Sequence, residues 1–162
     1  MQLFFRLFIF VFFSLSIVVK AQEQLAHKGK ILTPEECIEI SAQKEQAGDK
    51  KEASRFLNQA ATIHWERKEY NKAVELFEKS LKLNESIANL QGMIGIYSNL
   101  GMIYADQAQY SQSLNYFDKA VAGRRQGKDK VALASNLINT AVVLNNLKQH
   151  EKAAVYLEEA LA

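Results

Sequence analysis

The chain has 162 residues, 48% of them hydrophobic and 23% charged, which suits one globular core and excludes a collagen-like, low-complexity or wholly disordered polypeptide. A formal charge of +2 at pH 7 lacks the basic excess that a nucleic-acid or anionic-membrane partner selects. Seven glycines and one proline are few for a turn-dense sandwich or barrel and point to helices.

Residues 1–21 carry six of the nine phenylalanines and almost no polar side chain. Arg6 supplies a minimal positive region, Leu7 to Val19 an apolar core, and Val19-Lys20-Ala21 the small residues that signal peptidase accepts before Gln22. The apolar stretch falls short of the roughly 20 residues that cross a bilayer. The expectation is therefore a signal peptide cleaved after Ala21, a periplasmic or extracellular protein, and membrane contact only during export. Cleavage removes Arg6 and Lys20 and leaves eighteen residues of each sign, a formally neutral mature chain. The short basic run from Arg124 to Lys130 reads as a solvated loop between helices. Residues 22–32 are polar and read as a flexible arm.

Cys37, the single cysteine, cannot form an internal disulfide and sits beside Ile38 and near Ile40 as a small buried hydrophobe. Thr33-Pro34-Glu35-Glu36 opens a helix over 34–47, with Thr33 as N-cap, Pro34 at the first helical position and Glu36 closing a capping box. This helix fills the second-helix slot of a degenerate repeat over 33–49.

From residue 50 onward a forty-residue period organises the chain. Tyr70, Tyr110 and His150 open equivalent amphipathic helices, followed in register by Ala73, Ser113 and Ala153, and by Phe77, Phe117 and Leu157. Upstream of each stand Leu57, Tyr97 and Leu137, then Ala61, Gly101 and Ala141. Small residues recur where two helix backbones must approach closely. The unit is an antiparallel helix pair, with first helices near 50–67, 90–107 and 130–147 and second helices near 70–86, 110–126 and 150–162. Asp49, Asn89 and Asp129 are placed to cap the first helices. Repeats thus span 50–89, 90–129 and 130–162, the last incomplete.

Tyr97-Ser98-Asn99-Leu100-Gly101-Met102-Ile103-Tyr104, followed by Tyr110, Ser113, Phe117 and Ala120, resembles a tetratricopeptide repeat, whose signature spaces an aromatic, Leu-Gly, Tyr, a small residue, Phe and Ala in this way. Two departures stand out, a period of 40 rather than 34 and the absence of the proline that commonly closes a unit. The resemblance implies an all-α fold, a right-handed α-solenoid of antiparallel helix pairs. The long repeat behind a leading signal resembles the exported sensor regions of bacterial histidine kinases and related regulators, in which any kinase output would lie outside this chain.

Nothing in the sequence supports catalysis. His27, His64 and His150 are never three or four residues apart and none neighbours Cys37, so no zinc spacing exists. His64 occupies a packing position that Tyr104 and Leu144 fill in the other units, and Gly92, Gly95 and Gly101 lie inside a helical pattern rather than in a phosphate loop. Glu66, Asp106 and Asn146 recur at equivalent solvated helix ends. No metal, cofactor or catalytic residue is expected.

The resemblance turns the first helices toward a groove. It implies a groove lined by Arg55, Asn58, Gln59, Thr62, Trp65 and Glu66 in the first unit and by Ser98, Asn99, Met102 and Asp106 in the second. The third unit adds Ser135, Ile138, Asn139, Val142 and Asn146. Gln59, Asn99 and Asn139 repeat at forty, which reads either as a row of carboxamides able to pair with the backbone of an extended peptide or as the residue that the family pattern places before Leu-Gly. The cations of a terminal-carboxylate clamp are missing from the corresponding slots of the second and third units. The expected function is a non-catalytic scaffold that binds a protein or peptide segment, alone or as the receiving part of a longer signalling protein. The alternative is an accessory subunit of an envelope complex that docks through its convex face or its C-terminal end, where Leu157 and Leu161 would expose an apolar stripe suited to self-association.

Overall fold

A computed structural model describes residues 32–162, and residues 33–162 form one compact unit. The expected signal segment and nearly all of the N-terminal arm lie outside the described residues. Seven helices follow one another: α1 (Pro34–Gln46), α2 (Lys50–Glu66), α3 (Tyr70–Ser86), α4 (Leu90–Asp106), α5 (Tyr110–Arg125), α6 (Lys130–Asn146) and α7 (His150–Leu161). The described residues contain no strand. No helix among them is long and apolar enough to cross a membrane.

Local chemistry sets the helix starts. At α1 the Thr33 hydroxyl accepts from the Glu36 backbone N–H while the Glu36 carboxylate accepts from the Thr33 N–H, a reciprocal capping box with Pro34 at the helix entrance. Asp49, Asn89 and Asp129 accept from the backbone N–H groups of Glu52, Gly92 and Ala132 and so cap α2, α4 and α6. Each such cap is worth about 1 kcal/mol. Glu69, Gln109 and Gln149, which precede the second helices, make no side-chain cap.

The turns show a periodicity finer than forty. Gly48, Lys68, Ala88, Ala108 and Lys148 all have positive φ, between 52° and 81°. In each case the next residue donates its N–H to the carbonyl five positions back: Asp49 to Lys44, Glu69 to His64, Asn89 to Asn84, Gln109 to Tyr104, and Gln149 to Leu144. This left-handed closure reverses the chain after each helix. Helices α2, α3, α4 and α6 have seventeen residues each, and three-residue turns complete a rhythm of twenty. The turn between α5 and α6 departs from the rule, with α5 ending at Arg125 and Gln126–Asp129 bridging to α6 without a left-handed residue.

The core runs along the interface between first and second helices. Phe77, Ile96, Leu100 and Ile103 are completely buried, and Ile94, Phe117, Leu137 and Leu144 nearly so. Ala61, Ala73, Gly101, Ser113, Ala141 and Ala153 are buried between helix pairs as their size requires. Cys37 is completely buried, and burial pushes its thiol above the ordinary range. Hydroxyls bridge neighbouring helices through backbone carbonyls: Ser41 donates to Ala53 at 2.8 Å, Ser80 to Ser54 at 3.0 Å and Ser113 to Gly101 at 2.7 Å. Each satisfies a buried polar group inside an otherwise apolar seam.

Candidate binding groove

First helices stand beside one another along one face of the array. The Trp65 indole N–H on α2 donates to the Asp106 carboxylate on α4 at 2.7 Å, and the Asn136 carboxamide on α6 donates to the Ser98 hydroxyl on α4 at 3.0 Å. These two links join α2 to α4 and α4 to α6.

On this face the carboxamides of Gln59, Asn99 and Asn139 are half-buried. None of the three has a hydrogen-bond partner among the described residues. Other carboxamides are committed to the fold: Asn84 binds Ser54 and Ser80, Asn136 binds Ser98, and Asn146 donates to the Val142 carbonyl. A carboxamide offers two donors and an acceptor. Three of them in register, each uncommitted, form a row of matched hydrogen-bonding sites across the first helices of three successive repeats, α2, α4 and α6.

Other expected groove residues behave differently. Arg55 is held in place, with Nε 2.9 Å from the Glu52 carboxylate and the guanidinium 4.2 Å from the centre of the Phe56 ring. Asn58 is half-buried, and its Oδ1 is enclosed without a partner. Met102 is half-buried. Trp65 is half-buried, and its indole N–H is committed to Asp106. Ser98 departs from expectation, since it is buried, donates to the Ile94 carbonyl and receives Asn136, which makes it part of the seam between α4 and α6. The α6 end of the face is apolar, with Val131 79%, Ile138 46% and Val142 53% exposed.

His64 packs as expected and also carries a polar contact that the sequence pattern does not show. Its ring is buried, with Nδ1 2.6 Å from Glu69 Oε2. An ionised carboxylate only accepts, so Nδ1 carries the proton of that bond. This contact, then Lys72, holds the Glu69 carboxyl below the usual carboxylate range. Glu66, Asp106 and Asn146 are exposed at helix ends. No group of three or more His, Cys, Asp or Glu among the described residues is placed to hold a metal ion.

Helix pairs stacked in register, with the first helices aligned on one face, define an α-solenoid. The tetratricopeptide repeat family matches residues 54–87 and again residues 92–162, together more than half of the chain. The protein belongs to that family, whose repeats typically mediate protein–protein interaction. Solved structures agree on the fold. The tetratricopeptide domain of Arabidopsis FLU superposes with a TM-score of 0.64 at 18% identity, over 69% of this chain and 94% of that one. The N-terminal domain of stress-induced protein-1 from C. elegans gives 0.61 at 17% identity, over 69% and 84%. BtubC from P. vanneervenii gives 0.71 at 18% identity over 78% of this chain, which spans 53% of the BtubC chain.

Proposed function

We propose that the protein is a non-catalytic scaffold that holds an extended peptide segment of a partner protein along the face formed by α2, α4 and α6. The observation that carries this reading is the row of Gln59, Asn99 and Asn139, equivalent in three repeats and free of internal hydrogen bonds. Such a row pairs with peptide N–H and C=O groups and is indifferent to side-chain identity. The exposed Ile138 and Val142 add apolar contact at one end of the row. The apolar segment over residues 7–19 supports export as the setting, and the long repeat behind it supports a receiving role within a longer signalling protein.

Panning a random peptide library on the purified protein supplies a probe. The double variant Asn99→Ala, Asn139→Ala is expected to bind a selected peptide at least about tenfold more weakly, as losing two or more hydrogen bonds implies, with an unchanged melting temperature. N-methylation of alternate peptide amides should weaken binding comparably, whereas alanine scanning of the peptide should not. Equal affinity of the double variant removes the ladder.

The C-terminal helix supports a second contact. Leu157 is 38% and Leu161 90% exposed, one turn apart on α7, and we assign to them self-association or docking on an envelope partner. A strictly monomeric profile by light scattering at high concentration sinks the self-association.

A further inference from the structure

The opposite side of the array, between successive second helices, carries a cleft of different chemistry. It has a volume of about 330 Å³. Helix α3 supplies Glu75 and Glu78, α4 supplies Tyr104, the turn after it supplies Gln107 and Gln109, and Gln112 closes the cleft from α5. No lysine or arginine lines it.

The wall of this cleft is aromatic. Tyr104 stacks on Tyr116 with ring centres 5.4 Å apart and planes within 5°, and Tyr97 lies 6.4 Å beyond Tyr116. The far side of this cluster already engages a cation, with Lys119 Nζ 5.3 Å from the Tyr116 ring and 5.5 Å from Tyr97. Tyr104 is the member of the cluster that lines the cleft. Glu78 and Tyr104 line the same cleft, and burial first, then the Glu78 charge, hold the Tyr104 hydroxyl above its ordinary range.

The polar groups of the cleft are largely uncommitted, and its carboxamides offer oxygens as well as N–H donors. Glu75 is engaged by Lys79 at 2.7 Å, but Glu78 has no hydrogen-bond or ion-pair partner among the described residues. Gln107 spends an N–H on the Ile103 carbonyl at 3.4 Å, which leaves its oxygen free. A carboxylate and carboxamide oxygens beside an aromatic face suit a planar cation with several N–H donors. A quaternary ammonium has no donors for those oxygens, and a lysine ammonium cannot stack.

We propose that this outer cleft is a second binding site, separate from the groove on the first helices, and that it takes the guanidinium of an arginine side chain presented by a partner protein. Glu78 receives two of its N–H groups, the glutamine oxygens receive others, and the plane lies against Tyr104.

The test is a titration of the full-length, nitrogen-15-labelled protein with acetyl-Gly-Arg-Gly-amide, read on the side-chain amide signals of Gln107, Gln109 and Gln112. Saturable shifts at those signals are expected. The neutral citrulline peptide, and the Glu78→Gln variant titrated with the arginine peptide, should each bind at least about tenfold more weakly, as loss of a charge-assisted pair implies. Glu78 is exposed, and an unchanged melting temperature verifies the variant fold. The assignment is overturned if no saturable shift appears, if citrulline or lysine peptides match arginine, if Glu78→Gln binds normally, or if the shifts fall only on Asn99 and Asn139.

Discussion

Phe117 lies with its ring against Gly101, so close that a Cβ built at residue 101 stands 2.7 Å from two ring carbons. The glycine of the repeat signature is thus a packing requirement, because Phe117 on α5 fills the volume that any other side chain on α4 would take.

Gly101→Ala should accordingly destabilise the protein by about 1–3 kcal/mol through overpacking. Gly95, six residues earlier on the same helix, has only open space where a Cβ would stand, with nothing within 4 Å. Gly95→Ala should therefore stabilise by about 0.5–1 kcal/mol through helix propensity. Thermal denaturation of the two variants should move the melting temperature in opposite directions. Equal shifts would refute the placement of Phe117.

Four turns place a residue other than glycine in the left-handed region: Lys68, Ala88, Ala108 and Lys148, with φ of 60°, 52°, 57° and 58°. A side chain there strains the backbone, whereas Gly48 at φ 81° adopts it freely. Ala88→Gly and Ala108→Gly should each raise stability by about 0.5–1 kcal/mol, the relief of strain exceeding the added freedom of the unfolded chain. Gly48→Ala should lower it by a similar amount. Chemical denaturation measures all three, and a loss at both alanine positions would show that the turns are not held as described.

Much of this architecture is legible in the sequence because forty-residue spacing and small residues at helix crossings leave a direct imprint there. Thr33, Pro34 and Glu36 mark the first helix, and Asp49, Asn89 and Asp129 the starts of later ones. The twenty-residue turn rhythm is hidden, because Lys68, Ala88, Ala108 and Lys148 are poor left-handed residues and lack the glycine signal. Within the groove, Gln59, Asn99 and Asn139 can be aligned by period, but only three-dimensional packing distinguishes an uncommitted carboxamide from one like Asn84. Ser98 leaves the groove for the same reason. Its groove-like spacing is overridden by Asn136, which reaches it from α6. The outer cleft depends on Glu78 and Tyr104, twenty-six residues apart on different helices, and no local pattern joins them.

Asn84 illustrates the buried side of that distinction. It is fully buried, donates to the Ser54 hydroxyl at 2.9 Å and to the Ser80 carbonyl at 2.8 Å, and accepts from Asn89 at 2.6 Å. Its Oδ1 occupies space left by Gly92, where a Cβ would stand 2.1 Å away. Asn84→Ala should cost about 1–3 kcal/mol because Ser54 and Asn89 lose buried partners. Gly92→Ala should also destabilise in the native background, and less in the Asn84→Ala background, where the oxygen is gone and Asn89 Nδ2, which stands 2.6 Å from the same Cβ, is no longer held by it. A double-mutant cycle on unfolding free energies should show coupling of about 0.5–3 kcal/mol. Strict additivity would mean that the two residues do not compete for the same volume.

Acid should loosen the packing of α5 against α7 through one ion pair. The Arg125 guanidinium meets the Glu159 carboxylate through two bonds of 2.8 and 2.6 Å. These bonds hold the Glu159 carboxyl below its ordinary value of 4.5 and raise Arg125 further above its own. A depressed folded-state value means that the unfolded chain binds the proton first, so this contribution is complete above the unfolded value and is lost as pH falls through the folded one. Glu69, depressed by His64 and Lys72, adds in the same direction. Both carboxylates are partly solvated, so salt screens the effect. The melting temperature of the native protein should therefore decline as pH is lowered from about 5 toward 3, and Glu159→Gln should show a shallower decline over the same window. At neutral pH the variant should melt slightly lower than the native chain, with the gap closing in acid. A gap that stays constant from neutral pH to about pH 3 would show that Glu159 contributes through packing rather than through its charge.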